Sequence, residues 1–286
     1  EQRLIYGVVG ESGSGKTTLA EILVRLRKPT SGRVLFQNKD IFSMSNGEIK
    51  EFRRKVQIIF QNPYSSLNPR FNIRHSIMEP LIVHRIGSKE FRENKVIETL
   101  ERVRLSPPEK YLDRYPQELS GGERQRAAVA RCLVLEPIFL IADEPVSMLD
   151  VSVRAGVLNL FKNIKERTKT GIIYISHDIS TVRFLCDRVI VLYLGKIMEE
   201  GSNDQIFNDP AHPYTKLLME AIFDVGPYNE RKLPIKSPTS LDWDAITGCK
   251  FAPRCPISKE KCYKIEPGFY DIDNGHKVAC HYPGSL

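Results

Sequence analysis

A glycine-rich segment near the start of the sequence has the residue types and spacing of a phosphate-binding loop. It reads GESGSGKTT and contains a complete G-x-x-x-x-G-K-[ST] pattern. Glycines let successive backbone N–H groups curve around an anion, and the N-terminal end of the following helix adds positive potential. Lys16 would reach the β- and γ-phosphates, and the Thr17 hydroxyl would bind Mg²⁺. We therefore predict that ATP and magnesium are held by Gly10, Glu11, Ser12, Gly13, Ser14, Gly15, Lys16, Thr17 and Thr18.

Two adjacent carboxylates, Asp143 and Glu144, follow the apolar run Phe-Leu-Ile-Ala. Carboxylates at the end of a buried strand are costly unless they act at its exposed carboxyl end. Asp143 would hold Mg²⁺ directly or through water, and Glu144 would be the general base for an attacking water. An acidic pair that caps a helix is the ordinary alternative. The phosphate-binding loop in the same chain favours hydrolysis.

A short glycine-containing motif lies between these two segments. Its members are Leu119, Ser120, Gly121, Gly122 and Glu123. Ser120 and Glu123 have the spacing of a capping box that opens a helix, which we expect to run through Cys132. The two glycines also expose N–H groups that could bind an anion.

This motif resembles the signature loop of ABC transporter ATPases. The resemblance implies that the loop binds the γ-phosphate of ATP held by the opposite subunit. Two chains would then enclose two ATP molecules, and one subunit alone would have no complete site. The match covers roughly residues 1–223.

Three further positions fit the family's pattern. Gln61 resembles the glutamine that contacts Mg²⁺ and water, and it joins Glu144 and His177 as a predicted catalytic residue. His177 resembles the switch histidine that stabilises the γ-phosphate. Asp150 matches a loop at the dimer interface, although Met148 stands where the family more often has alanine.

The family's adenine-stacking aromatic residue has no counterpart here. Only nine residues precede Gly10, and Tyr6 lies inside a predicted strand. We expect the stacking residue and the first strands to lie in an N-terminal piece that this sequence does not include. Adenine selectivity is therefore implied by the resemblance alone.

Several stretches are similar to the ATPases of oligopeptide/dipeptide permeases: FQNPYSSLNP at 60–69, DVSVR at 150–154 and HPYTKLL at 212–218. The resemblance implies a second related ATPase subunit, two transmembrane permease subunits and, indirectly, an extracytoplasmic solute-binding protein. It also implies a peripheral position at the cytoplasmic face of the membrane, with the residues after Gln61 contacting the permease. The same branch also imports oligosaccharides, so the solute stays open.

The last forty residues contain four cysteines, Cys249, Cys255, Cys262 and Cys280, which are separated by five, six and seventeen residues. Cysteines in a cytosolic protein favour a metal over disulfides. Zinc sites usually have tighter pairs, whereas looser all-thiolate spacing suits an iron–sulfur cluster. The resemblance implies a structural [4Fe–4S] cluster, with zinc as the alternative and reduced thiols as a third. Cys132 and Cys186 are interpreted as small apolar core residues.

The elements that must position these residues follow an α/β pattern. Apolar runs predict strands at 4–9, 33–36, 55–60, 138–142, 172–176 and 189–194, and helices are expected at 17–26, 151–168 and 178–186. The predicted fold is a P-loop ABC ATPase core over 1–223 with a helical subdomain inserted at about 75–135. A small cysteine-rich C-terminal extension over 224–286 would follow, joined by a proline-rich linker at 225–246.

Composition excludes several classes of protein. The 286 residues are 41% hydrophobic and 27% charged, which is typical of a globular chain and not of a disordered one. No run of eighteen apolar residues occurs and no secretory signal is visible, so we expect a cytosolic protein. The net charge of +7 suits phosphate-bearing ligands. A soluble ABC ATPase acting on DNA or ribosomes is the alternative function, but we expect no nucleic-acid partner. A third hypothesis is a weakly catalytic, regulatory member of a heterodimer.

Overall fold

The computed structural model describes residues 4–62, 66–223 and 246–285. These residues divide into two compact units, one of residues 4–5 and 17–175 and one of residues 6–16 and 176–285. The elements, in chain order, are β1 (Ile5–Val9), α1 (Lys16–Leu23), β2 (Leu35–Phe36), β3 (Lys39–Asp40), α2 (Asn46–Lys55), β4 (Val56–Ile59), α3 (Ile73–Val83), α4 (Lys89–Arg102), α5 (Glu109–Leu112), α6 (Gly121–Leu133), β5 (Phe139–Asp143), α7 (Val151–Arg167), β6 (Gly171–Ile175), α8 (Ile179–Leu185), β7 (Arg188–Tyr193), β8 (Lys196–Ser202), α9 (Asn203–Asn208), α10 (Pro213–Phe223), α11 (Glu260–Lys264), β9 (Tyr270–Asp273) and β10 (His276–Val278).

The first unit is built on three parallel strands. β5 pairs with β4 on one side, from Phe139 opposite Val56, and with β6 on the other, from Phe139 opposite Gly171. Leu140, Ile141 and Ala142 are buried in the central strand, as expected where helices cover both faces of a parallel sheet. Because parallel strands end at one edge, the residues that follow β4 and β5 lie at the same edge of this sheet.

Helices fill the part of the first unit between β4 and β5. On α3 the buried residues Ile73, Ile77 and Leu81 recur every four positions, which places them on one face. Asn72 caps this helix by accepting the His75 N–H at 2.9 Å. The helices α3, α4, α5 and α6 lie in the range predicted for the helical subdomain, about 75–135.

The second unit combines parallel and antiparallel pairing. β1 runs parallel to β7, with Val9 opposite Val191, and β7 forms a hairpin with β8. β10 then pairs antiparallel with β8 and with β9. The described tail, predicted to be a separate extension, thus continues the strands of this unit through β10 and β9.

A buried carboxylate, Glu199 on β8, joins the tail to the rest of the second unit. Its oxygens accept the N–H groups of Ala211 at 2.7 Å and His212 at 2.9 Å, and the His276 ring nitrogen of β10 lies 2.7 Å away. Glu199 and His276 are both buried. A buried carboxylate with three partners is satisfied, and the loss of any one partner would be costly.

Most predicted elements are present, with ends displaced by at most three residues. The exception is the strand predicted at 33–36, of which only Leu35–Phe36 is extended, paired in a two-residue hairpin. Sequence analysis also missed β3, α2, β8, α9, α10, α11, β9 and β10. The linker predicted at 225–246 lies almost wholly outside the described residues, as does the boundary predicted at 223–224, so that division stays a prediction.

Across the parts of the chain that the structure describes, no helix is both long enough and apolar enough to cross a membrane.

Replacing Glu199 with alanine should lower the free energy of unfolding by about 3–5 kcal/mol, because two N–H groups and an imidazole would lose a buried acceptor. The measurement is urea denaturation followed by circular dichroism. Glu200→Ala is the matched control, since its partly exposed carboxylate contacts Arg188 at only 3.4 Å. The control should cost less than about 1 kcal/mol. Equal losses in the two variants would contradict a stabilising role for the Glu199 contacts.

Candidate functional site

The predicted phosphate-binding loop follows β1 as a tight turn. A Cβ atom on Gly10 would lie 2.0 Å from the Leu192 carbonyl oxygen, so that position requires glycine. Gly13 and Gly15 have φ angles of +79° and +99°, a region that side chains rarely enter. The N–H of Gly195, in the turn between β7 and β8, donates to the Ser14 carbonyl at 2.9 Å. This bond holds the phosphate-binding loop against that turn. The backbone is therefore shaped by glycines at three defined positions.

Lys16 is buried within the loop that it is predicted to serve. Its Nζ donates to the carbonyl oxygens of Gly10 at 2.8 Å and Glu11 at 2.9 Å, and lies 3.3 Å from the Ser14 hydroxyl. A buried ammonium with three oxygen partners is a positive charge held at a fixed place. This arrangement suits an anionic ligand above the loop.

His177 comes to the phosphate-binding loop within the second unit. It is exposed, and it lines a cavity of about 510 Å³ together with Gly10 and Glu11. Asp178 begins α8 by accepting the Ser180 N–H at 3.1 Å. The structure thus brings together the predicted switch histidine and the start of the loop.

In the first unit, Gln61 and Glu144 meet although 83 residues separate them. The Gln61 amide Nε2 donates to the Glu144 carboxylate at 2.7 Å. Glu144 has a positive φ of +46°, and its N–H donates to the Ile175 carbonyl at 2.9 Å. Such a conformation is uncommon for a residue with a side chain and is concentrated at functional sites. Asp143, at the end of β5, is buried.

The predicted signature loop is an intact capping box. The Ser120 hydroxyl accepts the Glu123 N–H at 3.3 Å, and the Glu123 carboxylate accepts the Ser120 N–H at 3.0 Å. Burial acts to raise the pKa of Glu123, but the hydrogen bonds from Ser120 and Tyr111 and the charge of Lys110 together lower that pKa. Ser120 is exposed at the tip of α6.

The two glycines of this motif differ in what they require. A Cβ atom on Gly122 would lie 2.2 Å from Val153 Cγ1, whereas one on Gly121 would lie 3.5 Å from Leu149 Cδ2. Sequence reasoning assigned both glycines to the exposure of N–H groups. The structure adds a packing reason for Gly122, because α6 and α7 approach each other closely there.

Arg124 is a residue of this region that sequence reasoning missed. It is buried, and its guanidinium donates to the carbonyl oxygens of Pro116 at 2.8 Å and Leu119 at 3.0 Å. These bonds hold the chain that leads into the signature loop. No pattern in a single sequence distinguishes this buried arginine from the partly exposed charged residues beside it, Glu123 and Arg126.

The dimer-interface prediction falls on an exposed stretch at the start of α7. Asp150 is exposed, and its neighbours Met148 and Val151 are 55% and 80% exposed. Large apolar side chains at such exposure are available for contact with another protein.

The four cysteines of the tail line one small cavity in the second unit. None of them forms a disulfide. Burial raises the pKa of Cys249 and of Cys280 to about 11, and neighbouring cysteines add to both shifts. The Cys249 N–H donates to the Cys262 carbonyl at 2.8 Å, which holds these two segments together.

A buried histidine, His212, lines the same cavity. Its Nδ1 accepts the Tyr214 N–H at 3.0 Å, while its buried Nε2 has no hydrogen-bond partner among the described residues. Burial lowers the pKa of His212 to about 4. In the described ranges, no group of three or more His, Cys, Asp or Glu is placed to hold a single metal ion. The described residues thus support neither the cluster nor zinc directly, and the metal site on the four cysteines stays a prediction.

Comparison with known proteins identifies the class. A family model described as ABC transporter matches residues 1–147, and one described as oligopeptide/dipeptide transporter, C-terminal region, matches residues 198–262. Among solved structures, cbiO1 of Clostridium perfringens, part of the ABC transporter complex cbiONQ, has a TM-score of 0.66 at 29% identity over 73% of this chain and 81% of its own. The ATP-binding cassette MJ0796, bound as a dimer to ADP and phosphate, has a TM-score of 0.63 at 30% identity over 71% and 87%. The chain belongs to the ABC transporter family and is an ATPase of that family.

Curated relatives place the chain within the family. The oligopeptide transport ATP-binding protein AppF of Bacillus subtilis is 42% identical over 279 residues, which is 96% of this chain and 84% of AppF. A Brucella ovis protein, whose name assigns it to peptide import as an ATP-binding protein, is 43% identical over 281 residues, 96% of this chain and 87% of its own. The chain is a member of the oligopeptide/dipeptide branch, so the resemblance found in the sequence is confirmed.

Replacing Gly122 with alanine should destabilise the first unit by about 1–3 kcal/mol, because the new methyl group must displace Val153. Gly121→Ala is the matched control, since its Cβ fits at ordinary contact distance. Thermal unfolding of both variants measures the difference. Adding Val153→Ala should restore most of the loss in Gly122→Ala. If the control were as unstable, packing against α7 would not explain the glycine.

Proposed function

We propose that this chain is the ATP-hydrolysing subunit of an ABC importer for oligopeptides or dipeptides. The observation that carries the proposal is the presence in one chain of a glycine-shaped loop with a buried Lys16, a Gln61–Glu144 pair and an exposed Ser120 at a helix tip. ATP binding closes two such subunits on each other, and hydrolysis reopens them. The names of AppF and the Brucella ovis relative support peptides as the solute. Oligosaccharides stay the alternative solute.

Hydrolysis assigns distinct roles to the polar side chains. Glu144 takes a proton from the water that attacks the γ-phosphorus, and the Gln61 amide, 2.7 Å away, orients its carboxylate. Lys16 compensates charge on the β- and γ-phosphates, and His177 stabilises the γ-phosphate. Thr17 and Asp143 would hold Mg²⁺, whose charge favours displacement at phosphorus. Oxygen donors of this kind fit that metal.

The signature loop supports a dimer in which each ATP contacts both subunits. Its serine is exposed, and the first N–H groups of α6 carry the positive end of the helix dipole. An anion bound there would come from outside the chain, namely the γ-phosphate of the partner's ATP. Exposed Met148 and Val151, beside Asp150, would be covered in the same contact.

The partners that follow are a second related ATPase, two transmembrane permease subunits and an extracytoplasmic solute-binding protein. The chain would lie peripherally at the cytoplasmic face of the membrane. The stretch after Gln61 is the proposed contact with the permease, and residues 63–65 of it lie outside the described residues. ABC ATPases that act on DNA or ribosomes typically carry a long coiled-coil insertion or two fused cassettes. The longest described helix here, α7, has 17 residues.

The tail is proposed to hold a [4Fe–4S] cluster on Cys249, Cys255, Cys262 and Cys280. All four line one cavity, and the buried Nε2 of His212 lines it without a protein partner. Because its Nδ1 accepts a hydrogen bond, the neutral imidazole carries its proton on Nε2, a donor suited to sulfur. In a cubane each cysteine binds a different iron, so four thiols need not converge on one point. The cluster would fix the fold of the tail.

Replacing Glu144 with glutamine should lower the rate of ATP hydrolysis by about 10²–10⁴-fold, because the amide cannot accept the proton of the water. Phosphate release measures the rate. Sedimentation of the variant with ATP and Mg²⁺ should show a dimer that persists. As a control, Glu21→Gln, which breaks the surface pair with Arg27, should hydrolyse ATP at the wild-type rate. Normal hydrolysis by Glu144→Gln would remove Glu144 from the role of base.

Anaerobically purified protein should contain about four iron and four sulfide per chain and absorb visible light, as thiolate-bound iron–sulfur clusters do. Cys262→Ser should reduce both contents and the absorption, whereas Cys132→Ser, which lies on α6, should leave them unchanged. If the purified chain contained zinc and no iron, the cluster assignment would be wrong and zinc would be the metal of this site.

A further inference from the structure

The carboxylate of Glu11, inside the phosphate-binding loop, is bound by an arginine from the cysteine-bearing tail. Arg254 approaches it with both terminal nitrogens, Nη1 to Oε2 at 2.7 Å and Nη2 to Oε1 at 2.9 Å. The two residues are 243 positions apart in the chain and belong to the same unit. A bidentate pair of this kind has a defined geometry as well as a favourable charge interaction.

Arg254 itself is held in place by aromatic residues. Its guanidinium lies over the rings of Tyr193 at 5.6 Å and Phe251 at 5.7 Å, and Nη1 is 3.3 Å from the Tyr193 hydroxyl. Arg254 immediately precedes Cys255, one of the four cysteines that line the tail cavity. The position of the guanidinium therefore depends on how residues 249–255 of the tail, the cysteine-bearing loop, are folded.

A second contact reaches the same loop residue. The Tyr214 hydroxyl accepts the Glu11 N–H at 2.9 Å. The Tyr214 ring packs against Tyr193 at 4.6 Å and Phe251 at 5.3 Å, and burial raises the pKa of its hydroxyl. Backbone and side chain of Glu11 are thus both fixed by groups that pack on the cysteine-bearing loop.

The charge of Glu11 gives this contact a consequence for ATP. A carboxylate in the loop that cradles a triphosphate would repel that ligand, and pairing with a guanidinium removes the repulsion. If the pair served only to anchor the tail, the lost contact would change stability and leave nucleotide affinity unaltered. The two interpretations differ in a measurable quantity.

We propose that Arg254 is a positioning residue for ATP, through which the cysteine-bearing tail fixes the phosphate-binding loop and neutralises Glu11. The proposal rests on the proposed function in taking the triphosphate of ATP as the ligand of that loop. It adds that the tail sets the affinity of the loop for nucleotide. Replacing the tail cysteines would then change the affinity of the phosphate-binding loop for ATP.

The test measures the dissociation constant of Mg²⁺ with the β,γ-imido analogue of ATP by calorimetry on the full chain. Arg254→Gln should weaken binding about tenfold, because it leaves a bare carboxylate beside the phosphates. Arg254→Lys, which keeps the charge and loses the bidentate contact, should weaken it about threefold at most. The deficit of Arg254→Gln should shrink as salt is raised, since screening weakens repulsion.

Rescue separates charge compensation from loss of the tail's fold. Glu11→Gln combined with Arg254→Gln should bind within about threefold of the wild type, because the carboxylate that Arg254 compensates is gone. Glu266→Gln is the matched control, since it breaks another ion pair of the tail, with Lys196 at 2.6 Å, and leaves Glu11 paired. The control should bind as the wild type does.

Three outcomes overturn the proposal: wild-type affinity in Arg254→Gln, a double variant as weak as Arg254→Gln, or equal weakening in Glu266→Gln. Thermal unfolding of each variant shows whether the chain is folded. If Arg254→Gln does not fold, Arg254→Lys decides: because it keeps the compensating charge, it should bind within about threefold of the wild type, and a tenfold loss would overturn the proposal. If the wild type did not bind the analogue, the proposed function itself would be contradicted.

Discussion

The structure depends on a loop backbone that must stay open toward an anion. N–H groups turned toward a ligand cannot bond to the protein's own carbonyls, so the loop has to be held by other contacts. Gly10 packs on the Leu192 carbonyl, Gly195 donates to Ser14, and Lys16 bonds to carbonyl oxygens beneath the turn. These contacts come from β7–β8 and from the loop itself. The hairpin after β7 is therefore part of the site.

The proposed hydrolysis needs two chains, because the catalytic pair and the signature loop that contact one ATP would come from different subunits. In the first unit, Gln61 and Glu144 form a hydrogen-bonded pair, while the signature loop presents Ser120 outward. A helix tip with exposed N–H groups is stabilised by an anion that another chain supplies. In the proposed function, ATP would gain contacts only when two cassettes close, which would couple nucleotide binding to a movement of subunits. In an importer, that movement would be passed to the membrane subunits.

The tail is integrated with the second unit through polar contacts. Glu199 joins β8, β10 and the start of α10, and Arg254 reaches Glu11 in the phosphate-binding loop. A segment of forty described residues has too little core to fix itself by apolar packing alone. Buried hydrogen bonds and a bidentate ion pair therefore hold the tail in one position, since the apolar area that it buries is small. Through Arg254, the tail lies in direct contact with the phosphate-binding loop.

The sequence by itself determined the phosphate-binding loop, the Asp143–Glu144 pair and the capping box at Ser120, because each is a local pattern whose spacing carries its meaning. It also predicted the central strands and the helical stretch, since buried strands and amphipathic helices have characteristic periods. The tertiary structure alone decided that Gln61 reaches Glu144, that Gly122 is required by Val153 and that Arg254 binds Glu11. Those contacts join residues far apart in the chain. Their distances follow from how strands and helices pack, a property that no local pattern in one sequence records.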